Sequence, residues 1–114
     1  MKGVKDLVEE FRQRAIKHYK YSLEGDYKHG NAEIKGINKV YAAIKKQEEL
    51  EELLQLIYSD TPEVVSLAAT YCMKFSPEKC LEALNKLFKE DIPLISSGAK
   101  YAIQNWNNNK WYID

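Results

Sequence analysis

The residues best suited to chemistry in this chain are two histidines and two cysteines, and their spacing assembles no familiar centre. His18 and His29 flank the Gly25-Asp26 joint. There is no His-Glu-x-x-His and no Cys-x-x-Cys, so no zinc site is expected. Cys72 and Cys80 fall on the apolar sides of their helices and read as small buried hydrophobes rather than reactive thiols. No Ser-His-Asp order and no glycine-rich phosphate loop appears. The expectation is therefore no catalytic residue, no metal, no cofactor and no enzyme activity.

Binding chemistry is better represented. Glu48, Glu49, Glu51 and Glu52 form the densest charge cluster. Acids at a helix start complement the macrodipole, so the cluster reads either as a solvated helix end or as a dock for a basic surface. Aromatic residues are abundant: eight tyrosines, two tryptophans and three phenylalanines exceed what a core of this size needs. Tyr19, Tyr41, Tyr71 and Trp106 fall on apolar stripes. Tyr27, Tyr58, Tyr101, Trp111 and Tyr112 fall off them or near ends. Tyrosine and tryptophan commonly anchor protein interfaces, although a terminal Trp-Tyr can equally fold back over the last helix. The candidate partner-binding residues are Glu48, Glu49, Glu51, Glu52, Tyr58, Glu63, Tyr101 and Trp111.

Net charge is zero, but the two signs are unevenly spread. Residues 1–47 carry 11 Lys and Arg against 6 Asp and Glu, whereas residues 48–114 carry 6 against 11. Such asymmetry can orient a charged partner. The basic half, with Arg12, Arg14, Lys17 and Lys20 near Tyr21, opens a nucleic-acid reading, which zero net charge weakens. No secretory signal and no apolar run of membrane-spanning length is seen, and two cysteines suit a reducing cytoplasm. The expected setting is cytoplasmic, away from membranes.

The elements that must position these residues are all helical, and no segment has the β-branched alternation of a strand. Val4, Leu7, Val8, Phe11, Ala15, Tyr19 and Leu23 recur at helical spacing, predicting a first helix over about 4–24 that Gly25 stops. Asp26 caps the next helix, with Asn31 as a rival start. Ile34, Ile37, Val40, Tyr41 and Ile44 form its stripe. Lys45 to Glu49 contains no breaker, so the second helix either stops near Lys46 or runs on to Tyr58.

A repeat favours the break. Residues 50–68 laid on 81–99 match at 8 of 19 positions, an offset of 31 residues. Leu50, Leu53, Leu56, Asp60, Pro62 and Ala68 fall on Leu81, Leu84, Leu87, Asp91, Pro93 and Ala99. Periods of 20 to 50 residues mark stacked repeat units that present an extended binding face. Pro62 and Pro77 fit first helical positions. The expected fold is a single all-α domain of about six helices forming an α-α superhelix. It comprises a hairpin over 1–47, helix pairs over 48–75 and 76–108, and a tail over 109–114.

The segment from Leu56 to Ala69, with Asp60, Val64 and the alanines that follow, resembles a HEAT repeat. Val65 and Ser96 occupy the positions of the usual arginine, which puts the inter-repeat bonds of that arginine in doubt. The whole chain resembles a family of short bacterial all-helical proteins of unknown function. The likeness lies in Leu7-Val8-Glu9-Glu10-Phe11, the Gly25-Asp26 joint, the Asp60 to Ala69 segment and the Ala99 to Trp106 helix. Members occur beside polymorphic or contact-dependent growth inhibition toxins, where small helical proteins serve as immunity proteins. The resemblance implies a protein that binds and neutralises a cognate toxin domain. A basic domain such as a nuclease would suit the acidic cluster. A stand-alone HEAT-like adaptor and a nucleic-acid-binding helical module are the alternatives.

Overall fold

The computed structural model describes residues 2–114, which are all-α. Six α-helices form: α1 (Val4–Glu24), α2 (Tyr27–Lys46), α3 (Leu50–Leu54), α4 (Pro62–Tyr71), α5 (Pro77–Lys89) and α6 (Ile95–Asn107). A 3-10 turn over Gln55–Tyr58 continues α3. The chain divides into two compact units, residues 1–55 and 56–114.

In the first unit, α1 and α2 form a hairpin and α3 packs on both. Leu7, Phe11 and Ala15 from α1 and Ile37, Val40, Tyr41 and Ile44 from α2 are buried. Gly25 ends α1 in the left-handed region at φ 74°, where a side chain would be strained. Asp26, not Asn31, caps α2: its carboxylate accepts from the His29 N–H at 3.2 Å. Gly30 is buried against α1, where a Cβ would meet Tyr21 Cβ at 3.8 Å and His18 Cδ2 at 3.9 Å, ordinary van der Waals contact. Further along, Arg14 crosses from α1 to bond Glu33 on α2 at 3.0 Å and Glu10 at 2.9 Å. A Cβ on Gly36 would overlap its guanidinium.

The break after Lys46 is real, and its cause is conformational. Glu48 takes the left-handed region at φ 59°. The Glu49 N–H then bonds the Ile44 carbonyl at 3.2 Å, closing the end of α2 as a glycine would. One stripe residue differs from expectation: Leu23, in the last turn of α1, is 54% exposed.

In the second unit, α5 packs on both α4 and α6. Ala68 and Ala99, equivalent in the repeat, are both fully buried. So are Cys72 and Cys80, and burial pushes the Cys80 thiol up to about 11. The repeat is unequal in its first helices. Leu81 belongs to the 13-residue α5, whereas Leu50 opens a five-residue α3 that tightens into the 3-10 turn. Buried Ser96 pins the α5–α6 turn: its hydroxyl donates to the Leu87 carbonyl and accepts from the Ile92 N–H, both at 2.7 Å.

Candidate partner-binding site

The expected acidic half does not form a structural unit. Glu48, Glu49, Glu51 and Glu52 fold with the basic helices, so residues 1–55 hold 11 cations and 10 acids and residues 56–114 hold 6 and 7. The division seen along the sequence thus largely cancels within each unit. Glu48, Glu51 and Glu52 are exposed and Glu49 half-buried. Among the described residues none of the four pairs with a cation, in contrast to Glu9 with Arg12, and Glu10 with Lys2 and Arg14. Among the described residues the Glu51 carboxylate accepts only from Gln55 on the next turn, at 3.3 Å. Like charges this exposed are screened by solvent and salt.

The other four candidates lie in the second unit. Glu63 is half-buried in the first turn of α4, where its charge complements the helix dipole. Tyr58 closes the 3-10 turn and is 68% exposed. It borders a hollow of about 170 Å³ with Ile57, Ala83 and Lys86.

Trp111 joins Trp106 and Tyr112 in an aromatic cluster at the end of α6, while Tyr101, in the middle of α6, is near enough to act on the Tyr112 phenol electrostatically. The Trp111 ring meets Trp106 edge-on at 5.7 Å between centroids and Tyr112 at 5.0 Å. Such ring pairs contribute about 0.5–1.5 kcal/mol beyond their buried area. The tail therefore folds back on α6, one of the two outcomes the sequence allows. The fold is incomplete as a polar arrangement, since the Trp111 indole N–H is buried with no acceptor among the described residues. Tyr101 is 65% and Tyr112 63% exposed. Partial burial, and more weakly the neighbouring Tyr101, hold the Tyr112 phenol above its ordinary value, so the Tyr112 hydroxyl is a neutral donor at physiological pH. Beside the two tryptophans, Lys74 and Asn109 border an open hollow of about 370 Å³. Tyr112 and Trp106 were not among the candidate residues; the first was assigned to an end and the second to the core.

The histidines are tied into the α1–α2 joint. His29 stacks on Tyr21 at 5.3 Å and its Nδ1 meets the Asp26 carboxylate at 2.7 Å. Burial holds the His18 imidazole below its ordinary value, against a smaller opposing pull from Glu33. Among the described residues no group of three or more His, Cys, Asp or Glu side chains converges as metal ligands would, and no helix is long and apolar enough to cross a membrane. No family model matches the chain, and no curated protein or solved structure matches it either.

Proposed function

We propose that this chain is a non-catalytic protein-binding module that neutralises a cognate bacterial toxin domain by stoichiometric binding. The observation that carries the binding part is the exposure of Tyr101 and Tyr112 in a region where Trp111 packs on both Trp106 and Tyr112. Large rigid rings that end in hydroxyl groups supply contact area at low entropic cost, which is why they dominate interface energetics. The toxin as partner rests on the family resemblance, and the unpaired acids from Glu48 to Glu52 suit a basic one such as a nuclease.

The experiment is rescue. Cells expressing a toxin domain encoded directly upstream of this chain should survive when the chain is co-expressed. Tyr101→Ala combined with Tyr112→Ala should abolish survival while leaving the protein folded. Reversing the four glutamates to lysine should weaken rescue if the partner is basic. Failure of the unaltered chain to rescue would return the stand-alone adaptor. Retention on nucleic acid at physiological salt would favour the nucleic-acid module instead.

A further inference from the structure

The α5 face carries charges in an order that is complementary to itself. Lys79, Ala83, Lys86 and Glu90 stand at intervals of four, three and four residues, so they form one stripe along the helix. Glu82 lies beside it. Lys79, Glu82, Lys86 and Glu90 are all exposed. Glu82 and Lys86 are four residues apart, as are Lys86 and Glu90, yet among the described residues none of the four forms an ion pair. The stripe edges two adjoining hollows of about 170 Å³ each that share Ile57, Ala83 and Lys86. The small Ala83 lowers the middle of this face, and exposed Tyr58 stands at its edge.

We propose that a second copy of this chain docks here, with the two α5 helices antiparallel about a two-fold axis near Ala83 and Lys86. A two-fold interface requires that if residue i meets j, then j meets i. Running α5 against itself in reverse places Lys79 opposite Glu90 of the other copy and Glu82 opposite Lys86, and each pairing occurs twice. A parallel arrangement would instead set Lys79 against Lys79 and Glu90 against Glu90. Opposite charges at both of these pairings select the antiparallel copy, and like-charge contacts penalise the parallel one. The alanine allows close approach, and Tyr58 from each copy covers the groove. One helix face falls short of the roughly 800 Å² per partner that a standard interface buries, so the dimer is weak and concentration-dependent. This inference does not depend on the toxin reading, because none of its residues belongs to the aromatic cluster of α6 and the tail.

Sedimentation velocity of the full chain over a concentration series at low salt tests it. The unaltered chain should pass from monomer to dimer. Lys79→Glu alone and Glu90→Lys alone should each weaken dimerisation about tenfold or more, since each creates two like-charge contacts. An equimolar mixture of these two single variants should dimerise as well as the unaltered chain, because one copy then offers two acids where the other offers two lysines. The recovery also shows that both variants are folded. A chain that stays monomeric throughout, single variants that dimerise normally, or a mixture that fails to recover would each overturn the proposal.

Discussion

Replacing Ser96 by alanine removes a single oxygen, and the structure assigns that oxygen two jobs. It donates to the Leu87 carbonyl in the last turn of α5 and accepts from the Ile92 N–H in the turn that follows. Both bonds are 2.7 Å long and the residue is only 8% exposed, so water cannot readily replace them. Alanine fits the same space, so no steric change confuses the result. A net hydrogen bond contributes about 0.5–1.5 kcal/mol, and an orphaned buried partner costs about 1–3 kcal/mol. Alanine relieves the cost of burying the hydroxyl itself, which leaves an expected loss of about 2 kcal/mol. Both tryptophans, Trp106 and Trp111, lie in the second unit, so their fluorescence during urea unfolding reports this change directly. The midpoint should fall with little change in slope. Ser97→Ala is the matched control: Ser97 is exposed and its hydroxyl meets the Leu94 carbonyl at a longer 3.3 Å. A loss at Ser96 below about 0.5 kcal/mol, the range of ordinary surface changes, would refute the reasoning.

Four further outcomes are expected. Ala99→Leu should cost about 1–3 kcal/mol by overpacking a fully buried site, read in the same unfolding assay. Glu48→Gly should stabilise the chain by up to about 1 kcal/mol, because Glu48 holds a left-handed conformation that glycine adopts freely; thermal unfolding followed by circular dichroism checks the sign. The Lys2 and Arg14 hydrogen bonds hold the Glu10 carboxyl below its usual 4.5, so its contribution is fully present above that value and is lost as pH falls through the lowered one; acid unfolding should be less steep in Lys2→Ala. Cys80, with its thiol pushed up to about 11 by burial, should resist alkylation in the native protein well below that pH and react on unfolding, as mass spectrometry would show.

Helices were legible wherever local chemistry and the apolar period agreed. The Gly25 stop, the Asp26 cap and the proline starts at Pro62 and Pro77 each rest on a backbone property of one residue, and the structure carries all four. The end of α2 was legible only through the repeat, since a glutamate holding φ 59° carries no sequence signal. The shortness of α3 was hidden too, because leucines at positions 50, 53, 54 and 56 support a longer helix and only packing decides where it tightens. Charge misled through its boundary. A division at residue 47 separates the signs, but the units divide at residue 55 and bring them together. The pairing of Trp111 with Trp106 and Tyr112 depends on the path of an irregular tail, which no periodicity predicts. Ser96 passed unnoticed as a pin because a buried serine is recognised by what surrounds it, not by its neighbours in sequence.

Titration calorimetry of the purified chain against an inactivated form of the toxin domain that the proposed function requires, sought in the gene directly upstream, tests the central claim most directly. Saturable binding at one copy of this chain per toxin domain is predicted, with Tyr101→Ala and Tyr112→Ala together weakening it at least about tenfold as loss of interface anchors should. No heat of binding at any concentration, or an affinity untouched by removing both rings, would contradict the claim that this aromatic surface is where the protein holds its partner.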